Sequence, residues 1–345
     1  MARFRRNAAP RAKRLLFNVG AYGAVRRLRP HSGLAILRYH AICGPEGEAY
    51  AEPGICISPT AFERHIAYVK TRYRVLSLPD AVAGLRAGKS LPPNALVITF
   101  DDGYADNLPA ARVLHRHDVS ATFYITAGCL SGEAPFWPSE IRQLVERIQA
   151  PEIRLRSTDA DVVIPCGTPA ERRTALRTLS KLFKSHTIPV RERLRDELRV
   201  AAGNVARISH MLTWDEVREM HRLGMTIGAH TLTHPNLPSA GPSDAWQEIS
   251  GSRKRLEQEL STPVTMFSYP NGGAERYMTA QIARLVSEAG FEAATTSCNG
   301  FVGLASDLYA LERVQVQERV EDLVFALEIE RFAFRPAGRD TRTTV

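Results

Sequence analysis

The sequence predicts an α/β fold built on a parallel sheet or barrel, and three observations carry that prediction. Short apolar runs of five or six residues alternate with longer amphipathic stretches along much of the chain. No internal repeat or low-complexity tract points to a solenoid or a disordered protein. With 345 residues, 44% of them hydrophobic and 24% charged, the chain can fill one large domain of the barrel kind.

The first 32 residues form a basic arm. The formal net charge of +8 is concentrated there, because Arg and Lys recur through residues 1–30 with no acid among them. A nucleic-acid partner would require a recognisable reading module, and none is present, so contact with a membrane surface is the preferred reading of the charge. The apolar stretch at 15–25 (LLFNVGAYGAV) is broken by Asn18 and two glycines and is too short to span a bilayer. Arg26 and Arg27 follow at once and the cleavage context around Ala21 and Gly23 is poor, which favours a surface helix over a secretion signal. The expected location is cytoplasmic, or peripheral at the inner membrane face. Cys43, Cys56, Cys129, Cys166 and Cys298 show no C-x-x-C spacing, which excludes a zinc ribbon or dithiol motif and leaves most of them as buried small hydrophobes.

The barrel domain is expected over 33–318. Its buried strands are 34–38 (LAILR), 95–100 (ALVITF), 121–126 (ATFYIT), 225–229 (MTIGA) and 264–268 (VTMFS). Outer helices fall at 60–71, 108–117, 214–223, 243–260 and 278–289, the fourth opening on Ser243 and Asp244 as cap residues. The rhythm stops over about 136–208, where charged helical segments (139–149, 169–184, 188–201) enclose a hairpin-like pair, EIRLRS and DVVIP. This stretch reads as an insertion, either shaping substrate choice above a barrel mouth or standing as a solvated appendage. Residues 319–345 close the chain as a helix and tail.

Chemistry gathers where apolar runs end. Asp101 and Asp102, in TFDDGY, follow ALVITF, and adjacent carboxylates repel unless a cation or a proton neutralises one of them. His230 and His234, in HTLTHP, follow MTIGA, with the four-residue spacing that brings imidazoles onto one face of a helical turn for a metal. No acid lies between them, so a base must come from elsewhere, and Asp101 can supply it. One carboxylate and two imidazoles leave positions open on a divalent ion, which suits hydrolysis of an amide or ester. A third turn, FSYPNGG at 267–273, also follows an apolar run. Asn271 is its candidate oxyanion donor through the backbone N–H, with Tyr269 and Pro270 as substrate-binding neighbours.

TFDDGY and HTLTH, in that order and each after an apolar strand, resemble the first two signatures of the polysaccharide deacetylases, the NodB-homology or family 4 carbohydrate esterases. The resemblance covers roughly residues 34–316. It implies a distorted (β/α)7 barrel that removes N-acetyl groups from hexosamines of a polysaccharide or lipid-linked sugar. It also implies Asp101 as base and Asp102, His230 and His234 as ligands of a divalent ion, zinc by preference. The third family motif reads Arg-x-Pro-aromatic-Gly, whereas Ser268 stands here at the Arg position and Asn271 at the aromatic one. The late Leu-x-His is absent too. Arg313 is the candidate replacement for the missing Arg, and His40, at the end of the first strand after Tyr39, the candidate for acid–base work. Trp214 reads as packing. The alternatives are a deformylase or amidohydrolase acting on another amide, and a catalytically weak carbohydrate-binding protein on the same fold.

Overall fold

Strands that read as unbroken apolar runs should be covered on both faces, as parallel sheets are. In the computed structural model, which describes residues 10–332 apart from 158–160, 205, 207 and 272–276, the first long strand buries every residue. In chain order the strands are β1 (Leu34–Tyr39), β2 (Ala41–Ile42), β3 (Cys56–Ile57), β4 (Arg74–Val75), β5 (Ala95–Phe100), β6 (Thr122–Ile125), β7 (Glu152–Arg156), β8 (Asp161–Pro165), β9 (Thr226–Ala229), β10 (Met266–Ser268), β11 (Ala293–Asn299) and β12 (Leu311–Gln315). Around the barrel the order is β1, β12, β11, β10, β9, β6, β5, and β5 pairs back onto β1, so seven strands close. All of these pairings are parallel. β4 lies outside the ring on the flank of β5.

Register decides what meets at the mouth. β1 and β5 align Tyr39 with Phe100, so His40 and Asp101 emerge side by side. β9 and β10 align Ala229 with Phe267, which brings His230 level with Ser268. The pairing of β11 with β12 shifts between Thr295 and Asn299, and Arg313 falls opposite Asn299. β11 and β12 escape a search for apolar runs because AATTSCN is small and polar and LERVQ carries two charges.

Helices wrap the ring at Pro59–Arg72, Leu78–Arg86, Asn107–Arg116, Trp214–Arg222, Pro242–Leu260 and Ala280–Glu288. The helix at Leu78–Arg86 was not anticipated by the sequence. Local chemistry sets the starts: Ser58 accepts from the Ala61 N–H, and Thr213 with Glu216 forms a reciprocal capping box. Ser243 and Asp244 are not the cap of their helix. Gly241, at φ 87°, takes that place with Pro242 at the first helical position, and Ser243 and Asp244 lie in the first turn.

The stretch 136–208 has a core of its own, in which Trp137, Leu144, Leu155, Leu179, Phe183 and Leu194 are buried together. Helices Trp137–Arg147, Pro169–Ser185 and Ile188–Ala201 surround the antiparallel hairpin of β7 and β8. Glu140, buried among them, is bridged by Arg195 at 2.6 Å and by Arg199 at 2.8 Å.

The basic arm is two helices, Pro10–Asn18 and Ala21–Leu28, separated at Gly20, whose φ of 75° favours glycine. Both pack against Val320–Glu328, where Tyr22, Val324 and Phe325 form a small core. Residues 1–9 of the arm and 333–345 of the tail lie outside the described residues. Among the described residues no helix is long and apolar enough to cross a membrane. None of the five cysteines is in a disulfide among the described residues: Cys43, Cys129 and Cys166 are buried, while Cys56 and Cys298 are half-buried.

Leu179→Ala, deep in the insertion's own core, should lower stability by about 2–5 kcal/mol in a denaturant titration.

Candidate active site

Asp101 and Asp102 diverge because the chain turns sharply after β5. Asp102 has φ 78° and Gly103 φ 87°, and a Cβ on Gly103 would press on Ile125 at 3.3 Å. The Asp101 N–H donates to Tyr39 O at 3.1 Å, which continues the β1–β5 ladder by one residue. The two side chains therefore face different groups.

Arg313 enters from β12, fully buried, and donates twice to Asp101: Nη1 to Oδ1 at 2.7 Å and Nη2 to Oδ2 at 2.6 Å. Its remaining donors reach Thr296 O at 2.7 Å, Thr99 Oγ1 at 3.2 Å and Ser268 Oγ at 3.2 Å. Ser268, at the position where the family motif has Arg, is thus the small residue that a guanidinium arriving from another strand lies against. Burial by itself would raise the Asp101 pKa; the Arg313 guanidinium outweighs it and holds the carboxyl well below the usual carboxylate range.

Asp102 faces the imidazoles. Its Oδ1 is 3.4 Å from His230 Nε2 and 3.3 Å from His234 Nε2. Burial opposes ionisation here as well, and the two histidines overcome it, so this carboxyl too is held far down. The histidines do not share a helical turn as their spacing suggests. The segment after β9 is a tight non-helical turn with Thr231 at φ 67° and His234 at φ 56°, and it swings both rings to one point. His230 Nδ1–H donates to Ser268 O at 2.7 Å, which leaves the Nε2 lone pair for a ligand. Burial lowers the His234 pKa against the opposing pull of Asp102, so this ring is neutral as a metal ligand must be.

Ligand atoms of Asp102, His230 and His234 lie within 4.8 Å of one another, all three residues buried. Asp102 Oδ1 is 3.3 and 3.4 Å from the two imidazole nitrogens, close enough for all three to hold one divalent ion. The donor set therefore fits a divalent ion.

The turn carrying the imidazoles is held from behind. Glu248 Oε2 accepts from the Leu232 and Thr233 N–H groups at 2.8 Å each, and Oε1 accepts from Thr233 Oγ1 at 2.5 Å. Arg191, buried on the insertion, donates to Thr233 Oγ1 at 2.9 Å, and Trp137 Nε1 donates to His234 O at 2.9 Å. The insertion is thus packed into the wall of the site and is not a detached appendage. Glu248 carried one sequence signal, an acid at the apolar spacing of its helix between Ala245 and Ile249. Trp137 and Arg191 carried none, because their contacts are long-range.

The remaining candidates fall at varied depths. His40 points its Nε2 at Asp101 Oδ2 across 3.7 Å, and burial lowers its pKa to about 4 despite the two carboxylates nearby, so the ring is neutral. Asn271 is half-buried at φ 60°, and its Nδ2 has no hydrogen-bond partner among the described residues. Tyr269 is fully buried, with its hydroxyl donating to Tyr309 O at 2.9 Å and its ring against Phe267. Its side chain therefore packs beneath the turn and offers no surface to substrate. Pro270 is buried beside it. Gly272 and Gly273 of the same turn lie outside the described residues. Trp214 packs under Arg255 and donates to Glu133 Oε1 at 3.0 Å.

A parallel barrel that collects two carboxylates, three imidazoles and a guanidinium at the C-terminal ends of its strands belongs to the class of barrel hydrolases. The sequence profile of the polysaccharide deacetylase family matches residues 88–153 and 181–294, and the chain belongs to that family. It is 28% identical over 299 residues to YxkH of Bacillus subtilis, which carries the same family name, and the match spans 86% of this chain and 76% of that protein. The poly-beta-1,6-N-acetyl-D-glucosamine N-deacetylase of Escherichia coli K12 is 32% identical over 76 residues, 22% of this chain and 11% of that one. The fold is similar to that of the Streptococcus pyogenes deacetylase PplD, solved in complex with acetate, at a TM-score of 0.57 and 20% identity over 87% of this chain and 99% of the other.

Arg313→Ala strands a buried carboxylate and should cost about 3–5 kcal/mol of stability. Adding Asp101→Asn should restore much of that stability in thermal melts while leaving acetate release abolished.

Proposed function

We propose that this deacetylase removes N-acetyl groups from the hexosamine units of a surface polysaccharide or a lipid-linked sugar, with a zinc ion held by Asp102, His230 and His234. The observation that carries the reading is the juxtaposition of this buried ligand group with an Asp101 that Arg313 keeps ionised and fixed. The poly-N-acetylglucosamine deacetylase among the relatives supports an N-acetylated glycan as substrate.

When bound there, a zinc-like ion polarises the amide carbonyl and lowers the pKa of water. Asp101 takes a proton from the attacking water, and its clamp by Arg313 sets the direction of its free lone pairs. Asn271 offers its backbone N–H to the carbonyl oxygen as that oxygen gains charge. The proton is returned to the leaving nitrogen, and His40, 3.7 Å from Asp101, is the group placed to relay it. Water and the amide are consumed; acetate and a free amine are formed.

Asp102→Ala and His230→Ala should each lose bound metal and acetate release together, followed by elemental analysis and acetate detection on the same samples. Turnover that persists without metal sinks the assignment. With N-acetylglucosamine oligomers and lipid-linked sugars offered in parallel, acetate should accumulate and formate should not.

A further inference from the structure

The N-terminal helix pair buries two cations and leaves several aliphatic side chains exposed. On Pro10–Asn18, Lys13 is only 8% exposed, bonded to Asp322 at 3.0 Å and lying 4.3 Å over the Phe325 ring. On the same element Leu15 is 63% exposed and Leu16 42%, and Val19 beyond it is 67% exposed. Ala21–Leu28 repeats the pattern: Arg26 is turned inward, its guanidinium 5.4 Å over Tyr73, while Leu28 is 81% exposed. Helices solvated by water bury leucine and expose lysine. Here Lys13 and Arg26, together with Phe17 and Tyr22, hold the pair to the protein, while Leu15, Leu16, Val19 and Leu28 face out.

We propose that this flank docks on the surface of an anionic lipid bilayer. The exposed leucines are flanked by exposed Arg11, Arg14, Arg27 and Arg29, Arg3, Arg5 and Arg6 precede them in the sequence, and no acid occurs before Glu46. A bilayer surface supplies hydrocarbon depth and negative charge together, which is what a basic, outward-apolar helix pair requires. At nine and eight residues the helices lie along such a surface and do not cross it. Acids nearby are engaged elsewhere: Glu318 accepts from Ser58 at 2.6 Å, Asp322 is shared by Lys13 and Arg319, and Glu328 accepts from the Tyr73 hydroxyl. Glu321 shares a crevice with Arg14, Ser58 and Glu318.

The test is sedimentation of the full chain with vesicles of phosphatidylcholine alone or with roughly one-third phosphatidylglycerol. Binding should be at least about tenfold tighter to the anionic vesicles and should weaken with salt. A triple variant, Leu15→Gln, Leu16→Gln and Val19→Gln, should keep its melting temperature and its turnover of soluble oligomers while losing about tenfold in vesicle binding. Failure to bind anionic vesicles, or undiminished binding by the variant, overturns the proposal. So does a concentration-dependent dimer in light scattering that the variant abolishes, because a second copy would then cover the flank. Turnover of soluble oligomers is read separately, so the N-deacetylation reading stands or falls on its own.

Discussion

A guanidinium placed inside a barrel has to meet its counter-charge there, because an unpaired ion in that interior is too costly to survive folding. Arg313 and Asp101 satisfy this condition for each other. Their two short hydrogen bonds fix the carboxylate plane, and the Thr296 carbonyl and the hydroxyls of Thr99 and Ser268 use the remaining donors of the fork. The shifted pairing of β11 with β12 accompanies this placement. The small residue at 268 leaves room for it. A family function usually carried by an Arg on β10 is therefore met by one from β12, with the carboxylate that it serves unchanged.

The metal side of the site rests on strained backbone. Asp102, Thr231, His234 and Asn271 all have positive φ, at about 1–3 kcal/mol each. Hydrogen bonds compensate in the histidine turn: Thr231 Oγ1 accepts from the His234 N–H at 3.0 Å, and Glu248 accepts from the Leu232 and Thr233 N–H groups. Trp137 and Arg191 add support from the insertion. The insertion has a core separate from the barrel, yet two of its side chains end on the ligand turn.

What was legible in the sequence follows from this division. Strands buried on both faces announce themselves as apolar runs, so five barrel strands and the outer helices that follow them were readable. β11 and β12 were not, because one is small and polar and the other turns a charge inward. The pairs Asp101–Asp102 and His230–His234 could be read as chemistry because each sits at a strand end. Their geometry could not: a four-residue spacing suggests a helical turn, whereas left-handed residues produce the convergence. Arg313 could be named as a candidate but not located, since nothing local tells a buried Arg from a surface one. Tyr269 looked accessible from its place in a turn, and only the packing of the barrel shows its ring to be internal.

The partners in the central ion pair are 212 residues apart in the chain. During synthesis, which proceeds from the N-terminus, β1, β5 and both metal-ligand segments emerge well before β12 exists to complete the ring. Until then Asp101 lacks the guanidinium that fixes its carboxylate plane. The base and the guanidinium that orients it therefore meet only when the last strand closes the ring, so the Asp101–Arg313 half of the site is completed after the ligand segments have been made.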